Sequence, residues 1–338
     1  MTGKAARSGA DLVVLGDCNP DVLVLGDDVT PEFGQHEKLV DRMSLVIGGS
    51  ASIATVAAAR LGVRVALVAA VGDDAAGDFM LGRLAAEGVD VSAVAVRAGA
   101  PTGMTVALSR GEDRAILTAT GAVTTLTARD VPPALAAGAR HLHVSSYFLV
   151  EASLGPGLAA LFAQARAAGI TTSLDTNWDP AGKWGGGTLR DVLAQTDLLI
   201  PNEAEACRLA GRDSLAEAVA VLSAAVPQLV IKRGARGAFC AERRHPGTPP
   251  RDIVQHEVWL PPVQPVDTTG AGDCFNAGLF AGLLGGLPLP EAAALGCAAG
   301  AASTQALGGT GSPLDLATAQ AAAASAVIQP AAAGVRPA

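Results

Sequence analysis

Aromatic side chains make up only 3% of this 338-residue chain, and its five cysteines (Cys18, Cys207, Cys240, Cys274, Cys297) are odd in number and never spaced as C-x-x-C. That scatter gives no disulfide framework and no structural zinc site, and it suits a reducing compartment. Several catalytic signatures are missing as well. Gly182-Lys183 is followed by Trp184 rather than a hydroxyl residue, with no glycine at the required earlier place, which argues against a P-loop NTPase. No G-x-G-x-x-G follows the first apolar strand, which disfavours a nicotinamide dehydrogenase. Neither G-x-S-x-G nor H-E-x-x-H occurs, and the commonest hydrolases drop out. Positive charge is outweighed: the net charge of −8 argues against nucleic acid as a partner. Residues 277–302, the most apolar region, are cut by Gly285-Gly286, Pro288, Pro290 and Glu291, and read as two buried helices rather than a membrane span. The apolar run at 12–15 is too short for a signal peptide. A soluble, cytoplasmic protein that binds neither nucleic acid nor membrane is expected.

What is present centres on residues 266–284, VDTTGAGDCFNAGLFAGLL. Its first half is turn chemistry, and its second half is apolar at helical spacing (Phe275, Leu279, Phe280, Leu283), so a helix is predicted from about Asp273. A glycine-rich turn opening a helix leaves backbone N–H groups unpaired and aligned with the helix dipole, a seat for a phosphate or a developing anion. Asp273 either complements that helix end or accepts a proton from a hydroxyl that attacks phosphorus.

DTTGAGD followed by CFNAGL closely resembles the C-terminal signature of the ribokinase-like (PfkB-type) carbohydrate kinase family. The resemblance implies that Asp273 is the catalytic base and that the backbone of Gly270, Ala271 and Gly272 is the anion hole. It also implies ATP and Mg2+ and, in many members, a monovalent cation such as K+. Oxygens for that cation would come here from Asp267, Thr269, Ser303, Ala306, Gly308 and Ser312.

Other stretches match the same pattern. In GDCNPDVLVLGD, Asp21 stands where relatives carry a substrate-binding aspartate, although Asn-Pro-Asp is itself turn-prone. Gly48-Gly49 opens a helix running to Arg60, and Ser52 takes the place assigned to the family's sugar-binding asparagine. A serine hydroxyl is shorter and lacks the amide's paired donor and acceptor, so substrate preference is less defined than reaction type. Asp175-Thr176-Asn177 ends a strand over 171–174, where open α/β sheets bind ligands, and the resemblance puts Asp175 and Asn177 near the substrate. Pro201-Asn202-Glu203-Ala204-Glu205 matches N-x-x-E, which assigns Asn202 to the nucleotide and Glu205 to the water shell of Mg2+; a capped helix start fits the same residues. Lys232, Gly234 and Gly237 fall on the loop that lies along the nucleotide in relatives, and Cys297 falls on that side too. Asp73 and Asp74 read as turn and helix-start residues. His141 and His143 share one face of a strand, and packing or pairing is favoured over metal ligation because no third ligand is apparent.

The fold expected is a ribokinase-like three-layer α/β/α domain over residues 10–318, with a central, mostly parallel sheet and a small β-sheet lid from 20–47 and 96–121. Residues 1–9 and 319–338 are expected to be flexible tails, and 110–114 and 245–251 to be a turn and a proline-rich loop. The function expected is an ATP-dependent kinase for a primary hydroxyl of a sugar or sugar-like molecule, with a homodimer through the lid as in relatives. A nucleoside kinase of the same fold is an alternative, weighed down by the scarcity of aromatics near Asp21 and Gly48. A catalytically inactive ligand-binding regulator is the second alternative, motivated by Ser52.

Overall fold

The computed structural model describes residues 9–110, 113–243 and 253–331. The first half comprises β1 (Leu12–Leu15), β2 (Asn19–Leu25), β3 (Arg42–Gly48), α1 (Ser50–Arg60), β4 (Val65–Gly72), α2 (Ala75–Ala86) and β5 (Asp90–Arg97), then the hairpin β6 (Met104–Arg110) and β7 (Asp113–Ala119). The middle comprises α3 (Pro133–Gly138), β8 (His141–Val144), α4 (Tyr147–Ala167), β9 (Thr171–Leu174), α5 (Leu189–Leu193), β10 (Leu198–Leu199), α6 (Glu203–Ala210), α7 (Leu215–Ala225) and β11 (Gln228–Lys232). The end comprises β12 (Ala238–Arg243), β13 (Ile253–Trp259), α8 (Ala271–Leu284), α9 (Leu289–Ser303), α10 (Leu316–Ala323) and β14 (Val327–Pro330).

Ten strands form one sheet in the order β14-β13-β12-β11-β10-β9-β8-β1-β4-β5. Its run from β11 to β5 is parallel, and β12 to β14 are antiparallel additions. Alternation along β1 divides the core. Leu12 and Val14 pack with α1, α8 and α9, whereas Val13 and Leu15 pack on the other face with α4, α6 and α7. Helix α4 is long and apolar enough by composition to cross a membrane, yet Tyr147, Val150, Leu154, Leu158 and Phe162 are fully buried in that second core. The remaining strands form a small second sheet in the order β3-β2-β6-β7.

Two helices start at glycines in the left-handed region: Gly49 (φ 77°) before α1 and Gly270 (φ 71°) before α8. Close packing of α8 on α9 also depends on glycine, since a Cβ on Gly278 would lie 2.6 Å from the carbonyl oxygen of Leu295. The chain beyond 319 is not a simple tail. Ala319 is buried in α10, and β14 pairs with the edge of β13, because a strand edge offers unpaired backbone groups to any nearby extended segment. The expectations for residues 1–8, for Gly111 and Glu112, for 245–251 and for 332–338 fall outside the described residues.

Candidate active site

Strand order reverses at β1, whose parallel neighbours β4 and β8 carry the fold to opposite sides. A crevice opens at the carboxyl ends of strands at such a switch point. Asp17 follows β1, Ser145 and Ser146 follow β8, Asp175 to Asn177 follow β9, Asn202 lies beyond β10, and Lys232 ends β11. Five connections thus converge on one place, opposite the mouth of α8.

Asp273 lies in the first turn of α8 and is buried, 7% exposed. Burial raises its proton affinity well above the ordinary aspartate range; nearby Lys232 opposes the rise, Asp175 and Asp17 add to it, and the Ser50 hydroxyl donates a hydrogen bond that lowers it. Beside it, the amides of Gly270, Gly272 and Asp273 have no acceptor among the described residues. Ala271 departs from expectation: its amide is donated to the carbonyl of Thr268 at 3.3 Å, closing the turn that Gly270 makes. The amides left without an acceptor are therefore those of Gly270, Gly272 and Asp273 rather than that of Ala271.

Lys232 is neither solvated nor idle. Its ammonium pairs with the fully buried Asp175, and a Cβ on Gly272 would lie 3.5 Å from Nζ, so the charge sits against the start of α8. Burial works against that charge, but Asp175, Glu205 and Asp273 outweigh it and hold the lysine protonated. Asn276, one turn after Asp273, donates to Asp175 at 2.7 Å, while its own Oδ1 is buried without a partner. Asn202 and Glu205 form a capping box at the start of α6: Asn202 Oδ1 accepts from the Glu205 amide at 2.9 Å, and Glu205 accepts from the Asn202 amide at 2.8 Å. Burial and the Asp175 charge raise Glu205 to about 7. Together Asn202, Glu205, Lys232, Gly234, Gly237, Gly270 to Asp273 and Cys297 line a cleft of about 460 Å3. Gly237 is required there, because a Cβ would meet the Val258 carbonyl oxygen at 2.0 Å.

Asp21, Gly48 and Gly49 are not among the residues lining that cleft, and Asp17, whose charge acts on both Asp21 and Asp273, connects the two groups. Asp21 sits within β2 rather than in a turn, and its carboxyl is packed so tightly on Gly48 that a Cβ there would lie 1.9 Å from Oδ1. Asn19 Nδ2 donates to Asp21 at 3.2 Å and to Thr105 of the small sheet at 3.3 Å. Burial and the charge of Asp17 push Asp21 up to about 7. Asn177, at φ 52°, accepts from the Ser146 amide at 2.8 Å and donates to Ser50 Oγ at 2.9 Å, bridging β8, β9 and α1.

Ser52 does not belong to this group. It is fully buried, and its hydroxyl is donated to the Asp17 carbonyl at 3.2 Å, because that position of α1 turns toward the core. Ile53 instead packs beside Gly270 and Gly309. Among the residues named for a cation, Asp267 accepts from the Thr269 amide (2.9 Å) and hydroxyl (2.7 Å) and from the Gly308 amide (2.8 Å). Ser303 donates to Gly300 at 2.8 Å, and the Ser312 carbonyl accepts from Arg60 at 2.9 Å. Ala306 lies in the turns after α9.

Sequence reading missed Asp17, which accepts from the Ser50 amide at 3.1 Å and the Ala51 amide at 3.0 Å and so holds the mouth of α1. A lone aspartate after a strand-ending glycine gives no warning of a partner 33 residues away. Asn276 was hidden inside an otherwise apolar helix, where an uncharged polar residue facing Asp175 was the available signal. Aromatics also come nearer than the spacing implied, since Trp178 follows Asn177 directly and packs edge-on against Trp184 at 4.7 Å. His141 and His143 bond to Thr171 and Ser173 at 2.6–2.7 Å and stack on Phe280.

A three-layer α/β/α body with a second small sheet, and an aspartate beside free amides at a helix mouth, define a small-molecule kinase of the ribokinase fold. The profile of the pfkB family carbohydrate kinases matches residues 10–316, and the chain belongs to that family: it is an ATP-dependent sugar kinase. It is 30% identical to a ribokinase of Haemophilus influenzae over 303 residues, covering 86% of this chain and 91% of the relative. A fructokinase of Klebsiella pneumoniae is 35% identical over 284 residues (78% and 85%), and a 2-dehydro-3-deoxygluconokinase of Bacillus subtilis 32% over 295 residues (81% and 85%). Among solved structures, Arabidopsis thaliana ribokinase complexed with ribose and ATP superposes with a TM-score of 0.77 at 22% identity, covering 94% of this chain and 99% of that one. A protein from E. coli in complex with ATP and Mg2+ gives 0.78 at 24% identity, covering 92% and 98%.

Proposed function

We propose that this kinase transfers the γ-phosphoryl group of ATP to a primary hydroxyl of a sugar, with Asp273 as general base. The observation that carries the reading is the buried Asp273 carboxyl beside the acceptor-free amides of Gly270 and Gly272. A carboxylate whose proton affinity is raised toward the working pH is the better base for an alcohol. It removes the hydroxyl proton as the oxygen attacks phosphorus in line with the departing ADP. Negative charge on the equatorial oxygens is met by the free amides and by the Lys232 ammonium, both fixed before the reaction starts. Glu205, a buried carboxylate on the cleft wall, suits the water shell of Mg2+, which when bound neutralises phosphate charge. The small sheet is read as a lid that excludes competing water, and its exposed Met43, Leu45, Ile116 and Leu117 support pairing of two copies through it.

Asp273→Asn is expected to lose about 10²–10⁴ in kcat while ATP affinity by calorimetry is retained. Full turnover in the folded variant would end the assignment. An ATP-consumption screen over pentoses, hexoses, ketodeoxy acids and nucleosides identifies the acceptor, and silence across the panel would favour a non-catalytic regulator. Turnover compared in K+ and Na+ salts tests whether the Asp267–Gly308 region takes a monovalent cation.

A further inference from the structure

The loop 308–312, Gly-Gly-Thr-Gly-Ser, runs against the mouth of α8. Gly309 presses on the turn at Gly270, where a Cβ would lie 2.6 Å from its Cα. The thiol of Cys274, the residue after Asp273, donates to the Gly309 carbonyl at 3.3 Å, and the Gly308 amide donates to Asp267 at 2.8 Å. Three glycines in five residues leave this segment few side chains to pack and a broad choice of backbone conformations. Its placement therefore depends on what holds its carbonyls. Those of Thr310 and Ser312 both accept from one nitrogen of Arg60, Nη1, at 2.7 and 2.9 Å. Nε and Nη2 of the same guanidinium donate to the two carboxylate oxygens of Glu87, each at 2.8 Å. Glu87 lies just past the end of α2, so one planar fork ties α1 and α2 to the loop. Arg60 stands about two helical turns after Ile53 on the same face of α1, and Ile53 packs against both Gly270 and Gly309.

The geometry points to Arg60 as a positioning residue for phosphoryl transfer: it fixes the loop that holds the Gly270 turn, and through that turn the aim of the Gly270 and Gly272 amides. The inference rests on the kinase reading above and adds to it a residue outside the lining of the cleft. Gly270, at φ 71°, has backbone freedom on both sides of the map, so its neighbours must select its conformation; Gly309 and Ile53 are those neighbours. The space left among Arg60, Cys274, Ser303, Gly309 and Leu314 is about 10 Å3, room for one water at most, so a shift of the guanidinium is passed on rather than absorbed. Charge alone does not account for the arrangement. A lysine ammonium carries the same charge but has no planar fork, and it cannot hold both oxygens of Glu87 while bridging two carbonyls.

The test measures kcat, acceptor KM and melting temperature for Arg60→Ala and Arg60→Lys at constant KCl, with ATP and the acceptor that the screen above shows to react fastest. In both variants kcat per folded molecule is expected to fall about 10–100-fold with acceptor KM within about 2-fold of the unaltered value, because a misaimed amide is felt in the transition state and not in acceptor binding. In Arg60→Ala, ~50 mM guanidinium chloride, far below denaturing strength, is expected to raise kcat at least about 5-fold, while methylammonium chloride at the same concentration does not. A role in stability alone would lower the melting temperature and leave kcat per folded molecule unmoved, and that result overturns the inference. Full turnover in Arg60→Lys, or equal restoration by methylammonium, overturns it too. If turnover of the unaltered protein does not depend on Asp273, the kinase reading fails and takes the inference with it; if it does and the Arg60 variants keep full kcat, only the inference falls. Should Arg60→Ala fail to fold, Arg60→Lys and Glu87→Gln decide: lost kcat at unchanged acceptor KM in both supports the clamp, and full kcat in either overturns it.

Discussion

Asp21 and Asp273 are carboxylic acids kept from water, and each holds its proton more tightly than a solvated aspartate. For Asp21 the consequence reaches stability. Its folded value is about 7, against roughly 3.9 in an unfolded chain. The stabilising difference is complete below the unfolded value and is lost as pH rises through about 7, because the unfolded carboxyl ionises freely while the folded one resists. Removing the charge should therefore help most in alkali. Asp21→Asn is expected to be more stable than the unaltered protein by up to about 4 kcal/mol at pH 8, and by much less at pH 5. Urea titrations at the two pH values measure this; a gain independent of pH would show that Asp21 titrates as an ordinary surface aspartate. At this scale the sequence was most legible where chemistry is contiguous. Gly270, Gly272 and Asp273 sit within four residues and announced themselves. Asp17 acts through residues 50 and 51, and Ser52 was misplaced because one step along a helix turns a side chain by about 100°.

Elements respond to the same substitution with opposite signs, depending on what surrounds them. Gly82 lies inside α2 with nothing within 4 Å of a built Cβ, so Gly82→Ala is expected to stabilise by about 0.5–1 kcal/mol through helix propensity. Gly278 lies inside α8, where a Cβ would come within 2.9 Å of Gly296 and Ala299 as well as meeting Leu295. There the propensity gain is outweighed by overpacking, and Gly278→Ala is expected to cost about 1–3 kcal/mol. Paired thermal melts decide; equal signs would refute the packing account of α8 on α9. Strand β8 carries a second element-scale effect. Burial drives His141 and His143 down to about 3. Their contribution is intact above about 6.5 and is lost as pH falls toward 3, since the unfolded imidazoles take protons that the folded ones refuse. His143→Gln is expected to flatten the acid limb of a melting-temperature profile between pH 6.5 and 4, and an unchanged limb would contradict it. The hairpin β6–β7 was readable from alternation alone. Helix α4 is harder to read, because Gly155 and Pro156 look like a break yet are carried within the helix by its buried face.

Across the whole molecule, the parallel core was foreseeable from alternating strands and helices, but its antiparallel margin was not. Strand β14 finds its partner about 70 residues upstream, and no local pattern in an alanine- and proline-rich terminus reveals such a pairing. Deleting residues 324–338 is expected to leave turnover per folded molecule intact while exposing β13 as an edge, with aggregation seen by light scattering. A truncated chain that stays monodisperse would show that the edge is guarded by something else.

The central sheet passes into the small one twice, through Gly16 to Cys18 after β1, where Asp17 is pinned to α1, and through residues 98–103 after β5. The strands proposed to touch the sugar, within 19–48 and 104–119, therefore form a cassette joined to the body by short connections, while the cleft beside Asp273 is lined mostly by residues from 202 onward. Such a division of labour frees each to drift at its own pace: exchanging the cassette alters what is recognised without rewriting how the phosphoryl group is delivered.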